Sequence, residues 1–63
     1  MYRIYGKLKT EKRFKAFDCN NGTFVENLIY ASFFYDSELE QLKKEVEYMN
    51  DNNEEYIFEI RKV

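Results

Sequence analysis

The sequence predicts a small α+β domain, a mainly antiparallel sheet in the order β-β-β-α-β with one helix packed on one face. Three observations predict it. Both ends of the chain alternate apolar and polar residues with period two, the pattern of strands with one buried face. Residues 39–49 instead repeat apolar side chains at spacings of three and four, the pattern of an amphipathic helix. Between these lie short polar turns and no proline.

The first strand is Tyr2-Arg3-Ile4-Tyr5-Gly6-Lys7-Leu8-Lys9. Tyr2, Ile4 and Leu8 point one way, and Arg3, Tyr5, Lys7 and Lys9 the other. After a polar Thr10-Glu11-Lys12, the run Arg13-Phe14-Lys15-Ala16-Phe17-Asp18 alternates again and completes a hairpin. Asn20-Asn21-Gly22 is a turn, because Asn and Gly tolerate positive φ. Leu28-Ile29-Tyr30-Ala31-Ser32-Phe33-Phe34 is apolar on both faces and rich in strand formers. It reads as an interior strand, with Phe24 and Val25 as a short arm leading in. Ser37 and Glu40 have the spacing of a capping box. Leu39, Leu42, Val46 and Met49 then form one helical stripe, expected to pack on Ile4, Leu8, Phe14, Phe58 and Ile60. Asn50-Asp51-Asn52-Asn53 ends the helix. Tyr56–Lys62 is the last strand, with Tyr56, Phe58 and Ile60 on one face and Glu59 and Arg61 on the other.

A chain of 63 residues makes a single domain, residues 1–63. Chains this small are usually stapled by disulfides, a metal or a partner chain. Cys19 has no second cysteine to pair with, and histidine, the commonest metal ligand, is absent. The compensating mass is aromatic: six Tyr and six Phe, each able to bury about 150–250 Å².

Charge is unevenly placed. Residues 1–18 carry six bases against two acids, whereas residues 19–63 carry ten acids against four bases, leaving a net charge of −2. An acidic whole argues against a generic polyanion binder while leaving room for a local basic face. No apolar run is long enough to span a membrane, and the start of the chain has no secretion-signal pattern. With a lone cysteine, the expected location is the cytoplasm.

Catalytic chemistry finds little purchase. Cys19 has no histidine to activate it. Asp18-Cys19-Asn20-Asn21-Gly22 has its glycine one position early for a calcium loop. No glycine-rich phosphate loop occurs. The expectation is a non-enzyme without metal or cofactor.

Two surfaces remain. The outward face of the hairpin, Arg3, Tyr5, Lys7, Arg13, Lys15 and Phe17, interleaves bases with aromatic rings, as single-stranded nucleic-acid binders do. Lys and Arg also lay their stems over exposed rings simply to keep a sheet soluble. The second surface follows from geometry. One helix is narrower than a four-stranded sheet, so part of the two-sided strand needs other cover. That makes Tyr30, Phe33, Phe34 and Tyr35 candidates for contact with another protein chain.

The run Phe24–Ala31, the closing Tyr56–Lys62 and the opening Met1–Gly6 with Lys12–Ala16 resemble small uncharacterised proteins carried by bacterial phages and conjugative elements. The resemblance implies no catalytic residues. It implies an accessory role, such as binding a host defence protein. The leading expectation is therefore a protein-binding module whose partner is a host protein. The alternatives are a single-stranded nucleic-acid binder using the hairpin face, and a self-associating domain forming a homodimer.

Overall fold

The structure, a computed structural model, describes residues 1–63. It is the expected α+β fold, a mainly antiparallel curled sheet with one helix on one face, built from five strands rather than four. The strands are β1 (Tyr2–Leu8), β2 (Lys15–Asp18), β3 (Thr23–Val25), β4 (Phe33–Phe34) and β5 (Tyr56–Lys62). The helix α1 spans Leu39–Asp51.

β1 is the centre. β5 pairs with every residue of it, from Tyr2 opposite Lys62 to Leu8 opposite Tyr56. A strand has two edges, so β2 and β4 must divide the other one. β2 takes Tyr5 and Gly6, and β4 takes Tyr2 and Arg3. The sheet forks where they part. The Ser32 N–H donates to the Phe17 carbonyl at 3.2 Å, and the Cys19 N–H to Ser32 Oγ at 2.9 Å, tying the two prongs together.

This division corrects the expectation of an interior strand over Leu28–Phe34. Only two pairing positions remain for it on β1, so only Phe33–Phe34 is strand. Leu28–Tyr30 is instead a 3-10 turn, begun by Asn27, whose Oδ1 accepts from the Ile29 N–H at 3.1 Å. Local side-chain capping by Asn27 organises these residues, for which β1 has no pairing position left.

The helix start is also corrected. A second 3-10 turn, Asp36–Glu38, leads into α1, so the cap lies earlier than Ser37. The Tyr35 N–H donates to the Glu38 carboxylate at 2.8 Å, and the Glu38 N–H donates back to the Tyr35 carbonyl at 2.9 Å. The stripe is as expected: Leu42 and Val46 are buried, with Leu39 and Met49 half-buried at its ends. Beneath it lies Ile4, 1% exposed, and around this centre pack Tyr2, Phe17, Phe34, Phe58 and Ile60.

Two expected core residues are elsewhere. Leu8 faces the helix side but lies at the far end of β1, opposite Tyr56. Phe14 is on the opposite side of the sheet from the helix, with Lys7 5.1 Å from its ring centre. The reason is register. Tyr5 pairs with Ala16, so Phe14 and Ala16 share Tyr5's face while Lys15 and Phe17 share Ile4's. With period two, choosing the wrong face for one residue of a strand inverts all of them.

The curl of the sheet centres on Gly6. Phe24 on β3 and Phe58 on β5 stack with ring centres 6.2 Å apart, although β2 and β1 lie between their strands. At about 4.8 Å per strand, a flat sheet would hold them about 14 Å apart. A Cβ on Gly6 would lie 2.5 Å from Phe58 Cδ1 and 2.9 Å from Phe24 Cε1. The missing side chain is what lets the rings of Phe17, Phe24, Phe58 and Tyr56 meet over the strand. Gly22 has a different task, a φ of +66° in the turn between β2 and β3.

The outer edge of β5 is partly closed. The Asn50 amide donates to the Phe58 carbonyl at 3.0 Å and accepts from the Phe58 N–H at 2.8 Å, as a neighbouring strand would. Asn53 Oδ1 accepts from the Tyr56 N–H. A bare strand edge invites pairing with another chain, and these asparagines blunt it.

Candidate interaction surfaces

Side chains follow from these registers. On the face away from the helix stand Arg3, Tyr5 and Lys7 of β1, Phe14 and Ala16 from the β2 side, and Glu59 and Arg61 of β5. The Arg61 guanidinium lies 4.6 Å from the Tyr5 ring centre and 5.0 Å from that of Phe14. Arg61 also contacts Glu59 at 3.3 Å in an exposed ion pair. Lys7 donates to the Glu11 carbonyl at 2.8 Å. Arg3 is half-buried, and its Nε has no partner within the chain. Tyr5, Phe14, Ala16, Val25 and Leu28 line one shallow trough on this side, with Arg13 and Glu26 at its rim.

The hairpin residues singled out from the sequence therefore divide. Arg3, Tyr5 and Lys7 share the open face, and Arg13 stands beside it. Lys15 is exposed but projects on the helix side of the sheet. Phe17 is not an outward residue: its ring lies 5.1 Å from that of Phe24 and 5.3 Å from that of Phe58, in the aromatic cluster of the covered face. Arg61 was placed on the outer face of the last strand by alternation. Its reach across β1 to Tyr5 and Phe14 could not be read, because that depends on which strand lies beside β1.

The second surface lies at the fork. Ile29 is 77% exposed and Tyr30 64%, and Leu28, Phe33 and Tyr35 are exposed as well. The rings of Phe33 and Tyr35 meet edge to face at 6.0 Å. Ile29, Tyr30, Ala31, Phe33 and Phe34 line a groove with Asp18, Cys19 and Glu45 at its border. Of the four aromatic candidates, Tyr30, Phe33 and Tyr35 present their rings outward. Phe34 packs against Ile4, Leu42 and Val46 and contributes only its edge to the groove.

The border is acidic for a structural reason. Asp18 closes the turn after β2, accepting from the Asn20 N–H at 2.9 Å, the Asn21 N–H at 3.4 Å and Asn21 Nδ2 at 2.7 Å. These donors, the Asn21 side chain first, hold its carboxyl below the usual aspartate range. Cys19 is pushed the other way: desolvation of the sulfur raises its thiol, and the Glu45 and Asp18 carboxylates add to the shift. A raised thiol stays protonated at neutral pH and is a weak nucleophile. No three Cys, Asp or Glu side chains form a cluster that could hold a metal ion. No helix is long and apolar enough to cross a membrane.

No protein-family model matches the sequence, and neither a curated protein nor a solved structure matches it.

Proposed function

We propose that the chain is a non-enzymatic protein-binding module that docks a foreign protein through residues 28–35. One observation carries the reading. Leu28, Ile29, Tyr30, Phe33 and Tyr35 are exposed within eight consecutive residues, in a chain whose buried apolar residues are only Ile4, Ala16, Ala31, Leu42 and Val46. Scattered exposed apolar residues are ordinary, but a clustered aromatic group around a groove is the composition of an interface centre. Asp18 and Glu45 at the border favour a partner whose apolar contact residues are flanked by bases. The resemblance to small proteins of phages and conjugative elements supports a host protein as that partner. The lone cysteine supports the cytoplasm as the compartment.

The double variant Ile29→Ser, Tyr30→Ser tests the proposal. Proteins captured from a host lysate by the wild-type chain should be lost with the variant, while the variant's unfolding midpoint stays unchanged. Identical capture by both would refute the site. A wild-type homodimer in sedimentation that this variant dissociates would replace the foreign partner with a second copy.

A further inference from the structure

We propose that the open face of the sheet, on the side away from the helix, binds single-stranded nucleic acid. Arg3, Lys7 and Arg61 would contact phosphates, and the Tyr5 and Phe14 rings would stack with bases. The inference does not rest on residues 28–35.

The first support is how charge divides between elements. Residues 36–55, which hold α1 and its flanking turns, carry eight acids and two bases; the rest of the chain carries eight bases and four acids. The net charge of −2 is thus the difference between a helical part at −6 and a strand-rich part at +4. Of these bases, Arg3, Lys7 and Arg61 stand on the open face, against the one carboxylate of Glu59 and turned away from those of α1, whereas Lys15 and Lys62 stand on the helix side.

The second support is the pairing of charge with rings. Two strands and a loop contribute: Tyr5 and Lys7 from β1, Phe14 from the approach to β2, and Arg61 from β5. Arg61 lies within 5.0 Å of both ring centres, and Lys7 within 5.1 Å of that of Phe14. In the free chain the cations cover the rings. A nucleic-acid strand supplies phosphates for the cations and planar bases for the rings, so both sets of contacts are exchanged together. The competing intramolecular contacts, Arg61 with Glu59 at 3.3 Å and Lys7 with the Glu11 carbonyl at 2.8 Å, are both solvent-exposed and therefore weak. An acidic peptide without rings, such as polyglutamate, would satisfy the charges but offer no flat partner for Tyr5 and Phe14, so competition with polyglutamate separates the two ligands.

The experiment is fluorescence anisotropy of a labelled oligothymidine of about 12 nucleotides, within the footprint of small single-strand binders. With three or four phosphate contacts, affinity should fall about 20- to 50-fold between 50 and 200 mM salt. Lys7→Gln and Arg61→Gln each remove one contact from outside the core, and each should lower the log–log salt slope by about 0.7. Tyr5→Leu should weaken binding by about fivefold or more at both salt concentrations while leaving that slope unchanged. Absence of binding at 50 mM salt would overturn the proposal. So would binding indifferent to Lys7→Gln and Arg61→Gln, or displacement of the oligonucleotide by polyglutamate as readily as by unlabelled oligothymidine.

Discussion

The two faces of the sheet are built from the same strands and the same residue types, yet they serve opposite ends. On the helix side, Ile4, Phe17, Phe58 and Ile60 meet Leu42 and Val46, and aromatic rings stack on one another. On the other side, Tyr5 and Phe14 meet cations, and no element covers them. A domain of this size has about 3–9 kcal/mol of stability in total. It can fill one core, and the second face must stay compatible with water. The division explains how twelve aromatic residues are used. One group, with Phe17, Phe24, Tyr56 and Phe58, makes the fold. Another, with Tyr5 and Phe14 half-buried against cations and Tyr30, Phe33 and Tyr35 exposed, lies outside that core.

The comparison breaks most severely at the helix. Leu42 is 2% exposed at the centre of the covered face. Leu42→Ala is expected to cost about 2–5 kcal/mol, most of the available stability. Denaturant titration measures it, and a loss below about 0.5 kcal/mol, the scale of a surface change, would remove Leu42 from the core.

Gly6→Ala sharpens the account of the curl. The added methyl meets Phe58 and Phe24, so a loss of about 1–3 kcal/mol is expected from overpacking. The same titration reads it. A neutral or stabilising result would mean that the rings of β3 and β5 do not close over β1.

Asn50→Ala strips two hydrogen bonds from the Phe58 main chain, a loss of about 1–3 kcal/mol if those groups stay dry. Hydrogen exchange at the Phe58 amide should accelerate relative to that of Glu59, which faces β1. Equal protection of both amides in wild type and variant would show that the Asn50 amide does not guard this edge.

Acid exposes a smaller effect. The Asp18 carboxyl is held below its ordinary value in the folded chain, so the unfolded chain binds protons more readily. Its contribution is complete above the unfolded aspartate pKa, about 3.9, and is lost as pH falls through the lower folded value. Asp36, lowered by its contact with the Met1 amino group, acts in the same direction. Asp18→Asn should flatten, without abolishing, the decline in unfolding midpoint below about pH 4. An unchanged pH profile would contradict the Asn20–Asn21 donor arrangement.

What could be read from the sequence follows the same division. The helix stripe and the strands β1 and β5 were legible because each buries one face against a single neighbour, which leaves a clean period. The second strand was not. Arg13–Asp18 carries an aromatic residue on each face, Phe14 and Phe17, so hydrophobicity alone could not choose between them. Only the pairing of Tyr5 with Ala16 does. Leu28–Phe34 misled for the opposite reason: apolar on both sides, it resembles a doubly buried strand, but Leu28, Ile29, Tyr30 and Phe33 are exposed at the fork. Asn50 and Asn53 were read as helix-ending residues. Their bonds to the β5 edge depend on where α1 lies over the sheet, and sequence spacing does not carry that. Among the candidate contact residues, Arg13, Lys15, Tyr30, Phe33 and Tyr35 are exposed, Arg3, Tyr5 and Lys7 are half-buried on the open face, and Phe17 and Phe34 pack against the core.

Tyr30 and Tyr48 offer the most direct test, because they are matched in residue type and nearly so in exposure, 64% and 68%, but one lies at the fork and the other on the helix. A photo-crosslinking amino acid placed at each position in turn, in cells that express the chain, reports what each site touches. The account predicts a discrete protein adduct from position 30 and none from position 48. An adduct from position 48 alone would contradict it, and would move the docking surface from the fork to the acidic helix.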